Sequence, residues 1–131
     1  MPQADNSRKR FRSWPNKLED AFHGISAGMR GQSSFRVHFL VAVAVVIVGG
    51  SLSLSVSQWC LLMLCITCVY VSEMFNSALE QIAESITTDF DERIGRSLDI
   101  ASGAVLIAAM GSSLVGLLIF GSRIGTLTQW W

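Results

Sequence analysis

Apolar and polar positions divide the chain into one amphipathic segment followed by three long apolar segments. Between residues 16 and 30, apolar residues recur at helical spacing and form one stripe, made up of Leu18, Ala21, Phe22, Ile25 and Met29. A stripe of this kind, with charged residues off it, predicts an amphipathic helix that lies in a membrane interface. Asn16, three residues before Glu19, has the form of a capping box and predicts the start of this helix.

The apolar segments that follow predict membrane spans. No Asp, Glu, Lys or Arg occurs from Val37 to Ser72, and roughly 20 apolar residues are enough for a helix to cross the hydrocarbon core of a bilayer. We therefore predict an all-α membrane protein with an N-terminal amphipathic interfacial helix and three transmembrane helices. The predicted parts are a disordered basic tail over residues 1–12, a single membrane domain over residues 13–131, and spans over residues 37–55, 59–84 and 98–121.

The distribution of Lys and Arg predicts the orientation of these spans. Residues 1–36 contain seven of the ten basic residues, and the loop between the second and third spans contains two more, so only Arg123 falls on the other side. Because basic residues are concentrated in cytoplasmic loops, the N-terminus is predicted to be cytoplasmic. The basic run of residues 8–10 is interpreted as a cytoplasmic retention signal, and no nucleic-acid partner is expected.

A polar stripe interrupts the end of the second span. At 3.6 residues per turn, Glu73, Asn76, Glu80 and Glu84 point the same way, within an arc of roughly 80°. Ionisable groups at membrane depth cost free energy and are for that reason candidates for function. The alternative is a helix that leaves the membrane and acquires ordinary solvated charges.

The residue types of this stripe indicate one kind of chemistry more than others. The chain has no Walker-type glycine-rich loop and no HExxH motif, and His23 and His38 are isolated, which favours surface or interfacial positions over ligand roles. Carboxylates beside an asparagine suit Mg²⁺ brought in with a nucleotide, and a carboxylate can accept the proton of an alcohol during phosphoryl transfer. A lipid with its reactive head at the interface is the expected substrate, and a proton or cation pathway is the rival.

Residues 73–80, Glu-Met-Phe-Asn-Ser-Ala-Leu-Glu, resemble the E-x-x-N-[ST]-A-[IL]-E signature of the prokaryotic diacylglycerol kinase and undecaprenol kinase family. Residues 95–106 are similar to the second block of that family, and residues 35–38 to the block before its first span. The resemblance covers about residues 16–121. It implies a multi-pass lipid kinase of the bacterial inner membrane that uses ATP and Mg²⁺ and assembles as a homotrimer.

The same resemblance implies roles for individual residues. Glu73 would be the base towards the lipid hydroxyl, and Asn76 would position the substrate and the phosphate. Asp99 would complete the catalytic environment. The remaining assignments divide into nucleotide contacts and metal ligands: Glu84, Arg96 and Lys17 for the nucleotide, and Glu80 and Gln32 for the metal.

Two positions depart from the pattern of the family. A glutamate that serves as a metal ligand is replaced by Gln32, which offers an oxygen without charge, and a lysine that contacts phosphate is replaced by Leu98. One interpretation is that Arg96, Arg93 or Lys17 supplies the missing positive charge. The other is a degenerate member that has lost kinase activity and acts as a lipid-binding or scaffolding membrane protein. A small ion-coupled transporter is a third hypothesis.

Overall fold

The computed structural model describes residues 14–29, 33–86 and 91–128, which form four helices and no strand. The helices are α1 (Trp14–Met29), α2 (Ser33–Ser51), α3 (Val56–Ile86) and α4 (Glu92–Leu127). Helices α2, α3 and α4 are long and apolar enough to cross a membrane. The predicted all-α fold, with one short helix before three spans, is confirmed. The predicted disordered tail lies outside the described residues, as does Gln32.

Helices α3 and α4 extend beyond the predicted spans at both ends, whereas α2 lies four residues nearer the N-terminus than the predicted span over residues 37–55. At about 1.5 Å per residue, α3 and α4 are roughly 46 and 54 Å long, whereas the hydrocarbon core of a bilayer is only about 30 Å thick. Each is therefore longer than the hydrocarbon core is thick, and the polar stripe occupies the C-terminal part of α3. The predicted capping box is wrong, because α1 begins at Trp14 and Asn16 lies inside it. Pro15 is tolerated in a first helical turn, so the helix can start before it.

A short turn joins α2 to α3 and contains a capping box. The backbone N–H of Ser55 donates to Gln58 Oε1 (2.9 Å), and the N–H of Gln58 donates to Ser55 Oγ (3.3 Å). Ser53 takes up the left-handed backbone conformation, with φ 52°. At the end of α2, the absence of a side chain at Gly49 admits the ring of Trp59, since a Cβ there would lie 2.9 Å from its Cη2 atom.

Helix α3 is the central element, and α1, α2 and α4 all pack against it. Ser112 Oγ on α4 donates to the carbonyl of Cys65 on α3 (3.3 Å). Near the far end of α4, Arg123 Nε donates to the carbonyl of Leu52 in the α2–α3 turn (2.8 Å). This bond ties α4 to the turn at the end of the bundle opposite the polar stripe.

Helix α1 is held to α3 at one end and leaves its apolar stripe uncovered. Its buried residue is Gly28, where an added methyl group would lie 3.9 Å from the side chain of Met74, next to Glu73. Leu18 and Phe22 are exposed. An apolar helical face that no other described residue covers suits contact with lipid at the membrane surface. The fold thus brings an interfacial helix to the polar end of α3.

Candidate active site

Glu73 is buried inside the helical bundle. It is only 3% exposed, and His38 Nε2 on α2 lies 3.0 Å from its Oε1 atom. Burial of a carboxylate is costly unless a partner compensates it, and the imidazole is the partner here. The interpretation of His38 as an isolated interfacial residue is therefore wrong. Because α2 packs on α3, His38 lies against the carboxylate of Glu73, the first residue of the polar stripe.

Asn76 connects α3 to α4 through its amide group. Its Nδ2 atom donates to Glu80 Oε1 (2.8 Å), one turn along the same helix. Its Oδ1 atom accepts a hydrogen bond from Ser102 Oγ on α4 (3.3 Å). With the oxygen bonded to a donor and the nitrogen to an acceptor, the orientation of the amide is fixed. The stripe thus becomes a cluster supported by all three long helices.

Ser77 lies within this cluster and has an unused hydroxyl group. The residue is 1% exposed, and its Oγ is the one buried side-chain polar atom in the described part of the chain that has no hydrogen-bond partner. An unsatisfied buried hydroxyl typically costs about 1–3 kcal/mol. A ligand oxygen or a water molecule that reached Oγ would remove this cost.

Burial falls steadily along the stripe. Glu73 and Asn76 are buried, Glu80 is half-buried and Glu84 is exposed. One face of α3 therefore leads from the interior of the bundle to its surface. A site of this form can receive an apolar molecule at its deep end and a water-soluble one at its shallow end.

An apolar cavity of about 450 Å³ extends from the deep end between α2, α3 and α4. Aliphatic side chains make up most of its wall, among them Val41, Val69 and Leu117, and the polar contribution includes His38 and Tyr70. The imidazole of His38 therefore belongs both to the cavity wall and to the pair with Glu73.

Three other predicted site residues lie on the exposed surfaces of α1 and α4. Asp99 is exposed on α4. Arg96 Nη2 is paired with Glu92 Oε1 (3.1 Å) on the exposed surface, an arrangement that contributes little free energy. Lys17 Nζ lies 4.9 Å from the centre of the Trp14 ring on α1. Within the described residues, none of these three side chains contacts Glu73 or Asn76.

The carboxylate of Glu80 suits a hard metal ion, although the described residues do not form a complete metal site. The described residues contain no group of three His, Cys, Asp or Glu side chains arranged to hold a metal. Mg²⁺ commonly needs only one or two carboxylates, since phosphate oxygens and water complete its shell. Glu80 is a half-buried carboxylate of that kind, so it fits Mg²⁺ delivered with a nucleotide.

A protein-family model described as prokaryotic diacylglycerol kinase matches residues 19–120, a range that includes α2, α3 and most of α4. The chain belongs to this family. Similar proteins include an undecaprenol kinase of Bacillus subtilis, 34% identical over 100 residues that cover 76% of this chain and 81% of that protein. A diacylglycerol kinase of Escherichia coli is 26% identical over 105 residues, covering 80% and 86%. A diacylglycerol kinase of Synechocystis is 32% identical over 97 residues, covering 73% and 55%.

Three residues of the cluster received no role from the sequence, although each lies in a block that resembles the family. His38 ends the block before the first span, Ser77 follows Asn76 in the signature, and Ser102 is in the second block. Helical spacing identifies partners on the same helix only. His38 and Ser102 approach α3 from α2 and α4, so their contacts follow from packing between helices.

Proposed function

We propose that this member of the prokaryotic diacylglycerol kinase family transfers the terminal phosphate of ATP to the hydroxyl group of a membrane lipid, either undecaprenol or diacylglycerol. Membership of the family makes the chain a lipid kinase by class. The observation that carries the finer proposal is the buried Glu73, paired with His38 at the wall of an apolar cavity. A lipid whose tail lies in that cavity would present its hydroxyl group to the Glu73 carboxylate. The hydroxyl group would then reach the carboxylate without crossing bulk water.

The proposed reaction gives roles to Glu73 and Asn76. As the lipid hydroxyl attacks the terminal phosphorus, Glu73 accepts its proton. A new oxygen–phosphorus bond forms, the bond from that phosphorus to the bridging oxygen of ATP breaks, and ADP leaves. The proton then passes from Glu73 to solvent. Asn76, with its amide fixed by Glu80 and Ser102, positions the substrate and the phosphate.

The shallow end of the stripe is proposed to receive the nucleotide and its metal. Glu80 and Gln32 would hold Mg²⁺, whose charge offsets the negative charge of the phosphates when it is bound. Glu84 and Asp99 are exposed towards solvent and would face the nucleotide.

Positive charge for the phosphates has to come from a residue other than the lysine that Leu98 replaces. Arg96, Arg93 and Lys17 are the alternatives that we propose for this contact. The exposed pair of Arg96 with Glu92 is weak enough to be exchanged for a phosphate contact.

Location and assembly form part of the same proposal. We propose that the N-terminus and the polar end of α3 lie on the cytoplasmic side of the inner membrane of a bacterium, where ATP is available, and the bias of Lys and Arg supports this orientation. A homotrimer is proposed from the resemblance to the family. In such an assembly a neighbouring subunit would supply further side chains to the exposed end of the stripe.

The test is a kinase assay with purified protein in detergent micelles. Labelled ATP and Mg²⁺ are supplied with undecaprenol or diacylglycerol, and a phosphorylated lipid is the expected product. Glu73→Gln removes the base and should lower kcat by about 100-fold or more. Glu19→Gln, on the exposed surface of α1 beside His23, is the matched control and should leave kcat unchanged. No product from either lipid over a range of Mg²⁺ concentrations would contradict the proposal.

A non-catalytic lipid-binding protein is the second candidate, and one observation favours it. Leu98 is half-buried on α4 and carries no charge for a phosphate. A protein of this type would bind undecaprenol or diacylglycerol with the same affinity in wild type and Glu73→Gln, and it would consume no ATP. Equilibrium binding of labelled lipid, measured beside the kinase assay, separates the two candidates.

A further inference from the structure

His38 is paired with Glu73 but takes no part in the steps of the proposed reaction. His38 stands at the second turn of α2, three residues after Phe35, which is 3% exposed. The ring of Phe35 packs edge-on against Tyr70 on α3, with 5.0 Å between centroids. Tyr70 in turn precedes Glu73 by three residues. Two contacts between α2 and α3 therefore lie side by side, and the aromatic one anchors the helix turn that presents the imidazole.

The two side chains of the pair differ in access to solvent. The imidazole is 23% exposed and lines the cavity, whereas the Glu73 side chain is 4% exposed. The pair engages Oε1, and no hydrogen bond from a described residue engages Oε2. A carboxylate held through one oxygen loses the freedom to rotate about its last torsion, and its second oxygen then has a fixed direction.

We propose that His38 is a positioning residue for phosphoryl transfer. By holding Oε1 of Glu73 it keeps Oε2 aimed at the hydroxyl group of the lipid. The inference rests on the proposed lipid kinase reaction and extends it to a residue on α2. Displacement of a reacting group by about 1 Å can cost 100-fold in rate, so loss of this restraint should reduce kcat while substrate binding is retained.

Two substitutions at His38 separate positioning from other roles. His38→Leu keeps a side chain of similar size in the cavity wall but removes the Nε2 atom that contacts Glu73, and should lower kcat by about 30- to 100-fold with the KM for ATP unchanged. His38→Gln places an amide N–H near the position of Nε2 and should restore kcat to within about threefold of wild type. His23→Leu, which removes the exposed histidine of α1, is the matched control and should leave kcat unchanged.

A double-substitution cycle supplies a readout that a purely structural role would not move. If His38 acts through Glu73, then His38→Leu should have almost no further effect on the residual kcat of Glu73→Gln. Equal losses in the wild-type and Glu73→Gln backgrounds would overturn the inference, as would a His38→Leu enzyme with normal kcat. Equal impairment of His38→Gln and His38→Leu would also overturn it, because an amide supplies the restraint but cannot carry a proton.

Failure of this inference is distinguishable from failure of the proposed function. A wild-type protein that phosphorylates neither lipid would overturn both. An active wild type whose kcat is indifferent to His38→Leu would overturn the positioning role alone. The expected result is an active wild type, an impaired leucine variant and a rescued glutamine variant.

Discussion

Burial makes the chemistry of Glu73 depend on few neighbours. Charges inside a protein are poorly screened because little water reaches them. Each polar group near the Glu73 carboxylate therefore interacts with it more strongly than it would at the surface. His38 holds one oxygen, and the Ser77 hydroxyl, one turn further along α3, is unused. Exposed residues such as Glu84 and Asp99 are screened by solvent. Substitutions at the deep end should therefore change the rate of reaction more than substitutions at the shallow end.

Leu98→Lys should raise the affinity for ATP if the phosphates lie near this position. A new ammonium–phosphate contact contributes about 1 kcal/mol at a partly exposed site, which corresponds to a KM for ATP lowered by roughly fivefold. Steady-state kinetics at saturating lipid give the two KM values. Leu98→Met keeps the volume and adds no charge, so it should match wild type.

An unchanged KM in Leu98→Lys would mean that another cation already binds the phosphates. Arg96 and Lys17 are the first to examine, because their present partners are a surface carboxylate and an aromatic ring. In that case Arg96→Gln or Lys17→Gln should raise the KM for ATP in the otherwise wild-type chain.

The α2–α3 hairpin depends on a close approach between helix backbone and an aromatic ring. A methyl group at Gly49 would lie 2.9 Å from Trp59 Cη2 and 3.2 Å from Leu54 Cδ1. Gly49→Ala should thus lower the free energy of unfolding by about 1–3 kcal/mol through overpacking. Gly50→Ala adds a methyl group with nothing within 4 Å and should raise it by up to about 1 kcal/mol, because alanine favours helix.

Unfolding by increasing fractions of sodium dodecyl sulfate in mixed micelles measures both changes. The two glycines are adjacent, so each variant is the matched control of the other. Equal stability of the two variants would mean that the Trp59 ring is not held against Gly49 in the membrane.

The number and type of helices could be predicted from the sequence, whereas their ends could not. Charge-free runs and one amphipathic stripe are enough to predict three spans and an interfacial helix. The ends depend on local chemistry instead. Pro15 permits a start at Trp14, and Ser55 with Gln58 caps α3. The predicted spans followed hydropathy, which marks where the hydrocarbon ends, while α3 and α4 continue as helix into polar surroundings.

The orientation of the whole molecule rests on its uneven charge. We predict that residue 57 lies on the outer side of the membrane and residue 85 on the cytoplasmic side. Two variants, Ser57→Cys and Ser85→Cys, each carry a single cysteine at an exposed position. In both, the native Cys60, Cys65 and Cys68 are replaced by alanine. A membrane-impermeant maleimide added to intact spheroplasts should label the first variant. The second should be labelled only after lysis.

The cysteine-free parent, which should take up no label under either condition, is the control for this experiment. Labelling of Ser85→Cys in intact spheroplasts, with protection of Ser57→Cys, would show that the topology is the reverse of the predicted one. The proposed cytoplasmic site would then be wrong, because ATP would not reach it.

The candidate site could be predicted from the sequence only along a single helix. The signature and its spacing put Glu73, Asn76 and Glu80 on one face of α3, and the hydrogen bond between Asn76 and Glu80 confirms that these two meet. The contacts from His38 and Ser102 required the packing of α2 and α4. Spacing along one helix says nothing about which residues of other helices stand opposite.

The burial of Glu73 has a consequence for water as a competing acceptor. Water is the most abundant hydroxyl compound in a cell, and a base able to activate a lipid alcohol is chemically able to activate water as well. Under the proposed reaction, a carboxylate that is 3% exposed meets hydroxyl groups that arrive through the apolar cavity, and bulk water is kept from it. Hydrolysis of ATP in the absence of lipid should therefore be slow, so that the phosphate leaves the nucleotide only when a lipid is there to take it.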